Sequence, residues 1–205
     1  MKITKLSETA ALAFAKALIL NELGGILSLI YKFSYAGGKS GPSFGISQMD
    51  ICNNAHAIMC LRECGFTTDE VAHLKLVKTS IGLDMWNMKL VANQEIVDKY
   101  DRNQIRECLS WPLSLCSDIG VNFSSEESFI HCADYHNQFG MSRGGKMYKW
   151  LQSLQAPLTP EMVRDFKYTT LYGIAQKQKP LDHDDVWRRY ANIAKVMGRT
   201  PEVMK

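Results

Sequence analysis

Polar residues that open helices recur along this chain, each followed by apolar residues at three- and four-residue spacing. Ser7 precedes such a run from about Glu8 to Leu23, stopped by Gly24-Gly25. Asp50 is placed to cap a helix from Ile51 to about Cys64, ended by Gly65. Thr67 and Glu70 have capping-box spacing and open a helix to about Lys78. Leu83 to Cys108 holds one or two helices, and Trp111-Pro112 marks a break. Ser124-Ser125-Glu126-Glu127 reads as a second capping box, leading a helix through Phe139, and Gly144-Gly145 separates it from Lys146 to Leu154. Thr159-Pro160-Glu161 starts a helix through about Gln178, and Pro180 and Asp182 start the last, ended by Gly198. A chain punctuated this way is committed to helices. The exception is Ser34 to Gln48, where Ala36-Gly37-Gly38-Lys39-Ser40-Gly41-Pro42 is turn chemistry and Ser43 to Gln48 is partly β-like. The expected fold is mainly α (α+β), one domain over residues 1–205 with one small β-hairpin.

The bulk numbers fit such a domain. The 205 residues are 46% hydrophobic and 22% charged, enough apolar material for a packed core. A net charge of +3 is too mild to point to nucleic acid, for which a concentrated basic stripe is expected. It suits an anionic polymer such as the cell wall. Six cysteines, Cys52, Cys60, Cys64, Cys108, Cys116 and Cys132, form no CxxC pair and lie mostly in apolar helical patterns. Buried free thiols in a reducing compartment are expected, with no metal site. Ala10 to Leu20 is apolar but carries Lys16 and no small-x-small cleavage site, so neither a signal peptide nor a membrane span is expected. Synthesis in the cytoplasm follows, with delivery by other machinery if the target lies outside.

Glu22 is the leading candidate for chemistry. It continues the stripe of Phe14 and Leu18 at four-residue spacing, at the end of its helix. The helix C-terminus and an apolar surround both disfavour the carboxylate. A carboxyl kept protonated in this way can donate its proton to a glycosidic oxygen as the bond breaks. The bland alternative is a surface Glu whose head reaches solvent past the helix end.

The segment Gly41-Pro42-Ser43-Phe44-Gly45-Ile46-Ser47-Gln48-Met49-Asp50 resembles the hairpin motif of goose-type lysozymes and soluble lytic transglycosylases, roughly G-x-G/S-F/x-G-x-x-Q-x-D. In that lysozyme-like superfamily the catalytic Glu ends a helix shortly upstream, where Glu22 stands. A second segment, Ala133-Asp134-Tyr135-His136-Asn137-Gln138-Phe139-Gly140 followed by Trp150-Leu151, resembles the A-x-Y-N-A-G…W-L segment of lytic transglycosylases. The insertion of His136 between Tyr135 and Asn137, and Gln138-Phe139-Gly140 in place of A-G, depart from that pattern. So does Lys39, which stands where goose-type lysozymes carry an Asp before the glycines. The resemblance covers about positions 8 to 55 and 125 to 155.

The resemblance implies cleavage of the β-1,4 bond between N-acetylmuramic acid and N-acetylglucosamine, without metal or cofactor. Glu22 is the implied catalytic residue. Ser43, Phe44 and Gln48 are the implied glycan contacts, and Tyr135 with His136 or Asn137 would orient Glu22 or a sugar. The cleft would be built from residues 15–55 and 125–155. Asp50 is a candidate second acid for a hydrolytic muramidase, and also a plain helix cap. Without a second acid, Glu22 acts as acid and then as base, and the product is a 1,6-anhydro sugar. The implied partners are peptidoglycan glycan strands. A phage endolysin released through a holin fits, as does an antibacterial toxin exported by a specialised system, with an immunity protein. A chitinase- or chitosanase-like glycosidase, and a non-catalytic helical binding protein on the same scaffold, are the alternatives.

Overall fold

A computed structural model describes residues 1–37 and 40–201. Among these it shows ten α-helices and one three-stranded antiparallel sheet, a mainly α chain with a minor β element. No helix among the described residues is long and apolar enough to cross a membrane. The chain divides into two compact units, Glu22–Arg106, and Met1–Asn21 with Glu107–Lys205. The divide falls inside α1 (Glu8–Leu23) and inside α5 (Gln94–Asp118).

The unit Glu22–Arg106 holds the sheet, with β2 (Pro42–Phe44) central between β1 (Ser34–Tyr35) and β3 (Met49–Asp50). Ser34 faces Ser43 across one ladder, and Ser43 faces Asp50 across the other. Pro42 lacks an amide hydrogen and is tolerated because it opens its strand, where its carbonyl accepts from Ile51 N at 3.1 Å. The expected hairpin is present, and a third strand extends it. Helices α2 (Ala55–Glu63), α3 (Thr68–Leu76) and α4 (Asp84–Ala92) complete the unit with the first part of α5. Its core gathers Phe33, Phe44, Met49, Ile51, Leu61, Leu74, Leu90 and Val97. Phe33 meets Phe44 edge-on at 5.3 Å and Phe66 at 6.2 Å, the geometry that ring quadrupoles favour.

The Thr67 capping box is formed: Thr67 Oγ1 accepts from Glu70 N at 3.2 Å and Glu70 Oε2 accepts from Thr67 N at 2.7 Å. The expected cap at Asp50 is not. Asp50 belongs to β3, and α2 starts later, capped by Asn54, whose Oδ1 accepts from His56 N at 2.8 Å. The two residue types cap equally well, so spacing alone could not choose between them.

In the other unit, α6 (Glu126–Phe139) is buried on every side from Glu127 to Tyr135 and serves as the spine. Around it stand α7 (Lys146–Gln152), α8 (Pro160–Tyr168), α9 (Leu171–Lys177) and α10 (Asp185–Val196). Three expectations fail here. Pro112 does not end α5, which runs on to Asp118. Cys108, Leu115 and Cys116 are buried along that helix, and their packing outweighs the one hydrogen bond a proline removes. Ser125 caps α6 without a capping box, because its third helical residue is Ser128, and Glu127 instead pairs with Arg199 at 2.7 Å. The long helix from Thr159 is two helices. Thr170 caps the second by accepting from Gly173 N at 3.0 Å. Gly173 lets the chain turn there, since a Cβ would lie 1.9 Å from Lys167 O. The last helix starts later than Asp182 and is capped by the buried Asp184, which accepts from Val186 N at 2.9 Å and Trp187 N at 3.1 Å. Cys52 is exposed, the other five cysteines are buried, and none of the six is joined in a disulfide among the described residues.

The centre of this unit is ionic. Asp134, 1% exposed, accepts from Lys167 Nζ at 2.6 Å, Arg189 Nη2 at 2.7 Å and Asn21 Nδ2 at 3.1 Å. Burial alone would raise its pKa, but the charges of Arg189 and Lys167 hold it far below the ordinary carboxylate range. Arg188 then caps the α1 carbonyls of Leu20 and Asn21 at 3.3 and 3.0 Å, answering the negative helix end with a cation. Asp134→Ala removes the carboxylate that Lys167 and Arg189 share, and should cost about 3–5 kcal/mol in denaturant unfolding. A loss below about 1 kcal/mol would show that the network is not structural.

Candidate functional site

Glu22 is the penultimate residue of α1 and is half-buried. Gly24 and Gly25, at φ +60° and +83°, take the left-handed turn that stops the helix directly after it. A cleft of about 340 Å³ opens beside it within the unit Glu22–Arg106. Its polar lining is Glu22, Lys32, Ser34, Gln48, Ser80, Asp84 and Asn87, over a wall of Leu23, Leu29 and Phe33.

Gln48 reaches this cleft from the turn Gly45–Gln48 between β2 and β3. Asp101, on α5 and 1% exposed, holds that turn. Its Oδ2 accepts from Ile46 N at 2.7 Å, and its Oδ1 accepts from Ser47 N at 3.3 Å and Ser47 Oγ at 3.1 Å. Gly45 has φ +84°, and a Cβ there would meet Asp101 Oδ1 at 2.6 Å, so only glycine lets the carboxylate approach. Gln48 has φ +51°, uncommon for a residue with a side chain. It is fixed on both sides: Nε2 donates to Gly45 O at 3.0 Å, and Oε1 accepts from Ser34 Oγ. The side-chain amide of Asn87 donates to no acceptor among the described residues, while its Oδ1 accepts from Phe33 N at 2.9 Å. Its amide hydrogens are thus available to a sugar hydroxyl or acetamido oxygen.

The other expected site residues fall elsewhere. Phe44 is fully buried and offers no face to a sugar, which corrects the expectation that it lines a cleft. Ser43 is 8% exposed, mid-strand, and does not line this cleft. Asp50 is also outside the lining. Its Oδ1 accepts from Gly41 N at 3.0 Å and Cys52 N at 2.7 Å, and its Oδ2 from Asn53 Nδ2 at 2.8 Å. It closes a turn, and the second-acid role is corrected accordingly. Lys39 lies outside the described residues. Tyr135, His136 and Asn137 belong to the other unit. Tyr135 is 7% exposed, packed on Phe139 and Phe166 at 5.1 and 5.8 Å, and burial raises its pKa. His136 Nδ1 accepts from Met141 N at 2.8 Å, and burial lowers its pKa. Asn137 Oδ1 accepts from Cys108 Sγ at 3.6 Å.

Sequence reasoning missed Asp101, Lys32, Asp84 and Asn87. Asp101 had a signal: it stands four residues after Val97, continuing a buried stripe as Glu22 does. The other three read as surface residues and had none.

Burial raises the Asp101 pKa from 3.8 to about 6, although the hydrogen bonds from Ile46 and Ser47 favour the ion. The ion is therefore the disfavoured form in the fold. Its contribution to stability is complete below the unfolded value and is lost as pH rises through about 6. Asp101→Asn, neutral throughout, should flatten the fall in denaturation midpoint across that window. An unchanged pH dependence would contradict this. Gly45→Ala should cost more than about 1 kcal/mol in the same unfolding assay, through left-handed strain and the clash with Asp101.

Comparison of the chain with protein-family models, with curated proteins and with solved structures gave no match.

Proposed function

We propose that the chain is a peptidoglycan-degrading glycosidase that cleaves the β-1,4 bond after N-acetylmuramic acid, with Glu22 as proton donor. The observation that carries this reading is that Glu22 and Gln48, from separate motif segments, line one cleft of a single compact unit. The likeness of Gly41–Asp50 to the lytic transglycosylase hairpin supports the choice of substrate.

In the transglycosylase route, Glu22 protonates the glycosidic oxygen as the bond to C1 breaks. The carboxylate so formed takes the proton of the muramyl 6-hydroxyl while O6 bonds to C1. Glu22 ends protonated as it began, and no water is consumed. Gln48 and Asn87 supply hydrogen bonds that orient the sugar, in a cleft where position counts as much as acidity. Asp84 favours a second, hydrolytic reading, since it is a further carboxylate in the same lining and could activate water. A wall substrate implies delivery through a holin or a specialised secretion system, the latter with an immunity protein.

Isolated sacculi treated with the protein and with Glu22→Gln test the proposal. Clearing by the unaltered protein and a loss of about 10²-fold or more in the variant are expected. Equal clearing by both removes Glu22 from the chemistry, and clearing by neither favours a binding protein or a chitin- or chitosan-directed enzyme. Mass spectrometry of the released muropeptides separates anhydro ends from reducing ends.

A further inference from the structure

Among the described residues, the charged lining of the Glu22 cleft is Glu22, Lys32 and Asp84. If Glu22 serves the bond-breaking step, Lys32 and Asp84, of opposite charge, are left among the described lining residues to read the substrate. Asp84 is the first residue of α4, where the helix amide dipoles already favour a negative charge. Lys32 has no such compensation. It is exposed, it follows the 3-10 turn Leu27–Leu29, and its amide is tied to Leu29 O at 3.1 Å, so its backbone is held at the cleft. Among the described residues, its ammonium meets no carboxylate and no hydrogen-bond acceptor.

We infer that Lys32 is a specificity residue that binds a carboxylate carried by the glycan strand, so that the cleft selects acidic muramyl polymers over neutral chitin and cationic chitosan. The inference rests on the glycan-cleaving reading above. An ammonium with no carboxylate beside it gains little from a neutral sugar chain and repels a cationic one, but forms a charge-assisted hydrogen bond with a substrate carboxylate. Two sources offer that group: the lactyl carboxylate of peptide-free muramyl strands, and the carboxylates of an attached stem peptide. In stem-bearing strands the lactyl carboxyl is consumed in an amide, so the two are separable.

The test measures binding by calorimetry in the Glu22→Gln background, which blocks turnover. The probes are peptide-free muramyl oligosaccharides, stem-bearing strands, chitotetraose and a chitosan tetramer. Tighter binding of one muramyl probe than of chitotetraose, by about tenfold and weakening with salt, is expected. Lys32→Met should erase that preference while leaving chitotetraose affinity unchanged. Which muramyl probe shows the preference names the carboxylate. Equal affinity for muramyl and chitin probes, or a uniform loss across all probes in Lys32→Met, overturns the inference and leaves the glycan-cleaving reading standing. Failure of every probe to bind overturns both.

Discussion

One buried carboxylate sets the geometry on which the candidate cleft depends. Asp101 accepts two backbone amides and a hydroxyl from the turn between β2 and β3. Those contacts dictate a glycine at position 45 and hold the turn that ends in Gln48. The strands on either side are two and three residues long, too short to fix a register by themselves. A turn anchored from a helix can carry a strained residue such as Gln48 at φ +51°, whose side chain then points its hydrogen-bonding groups at Gly45 and Ser34. The motif glycine, the motif glutamine and the buried acid are thus parts of one device. Its cost is a carboxylate kept from water, which is why its pKa is pushed up to about 6.

The second unit uses burial of charge differently. Asp134 is paired twice over, to Lys167 and Arg189, and its oxygens also receive Asn21. Three helices, α6, α8 and α10, converge on it together with the part of α1 in that unit. The helices that carry the triad must keep its members in contact, because buried charge is costly once its hydrogen-bonded partner is removed. Glu127 repeats the device with Arg199 and a buried His131, whose pKa is lowered chiefly by burial.

The helices were legible where their ends carry strong local chemistry. α1 and the Thr67 capping box match the sequence reading because glycine pairs and reciprocal caps act within a few residues. The reading failed where distant partners decide. Pro112 sits inside a helix because the surrounding residues are buried, and the break at Thr169-Thr170 depends on how closely Gly173 approaches Lys167. Asp50 and Asn54 offer the same capping chemistry four residues apart, and pairing of Asp50 with Ser43 in the sheet selects the later one. For the candidate cleft, periodicity singled out Glu22 and the hairpin segment singled out Gln48, and both line it. Phe44 was misassigned because a motif aromatic can face core or cleft, and only the strand's register tells them apart. Lys32, Asp84 and Asn87 come from three separate segments, and no local pattern marks residues that only the fold brings to one cleft.

The proposed function puts a glycan strand in the cleft beside Glu22. Amide NMR of the Glu22→Gln variant during titration with muramyl oligosaccharides tests it without relying on turnover. The largest shifts are expected at Lys32, Ser34, Gln48 and Asn87, with little change around the surface groove of Trp187 and Asn192. Shifts confined to that groove, or absent along the whole chain, would contradict it.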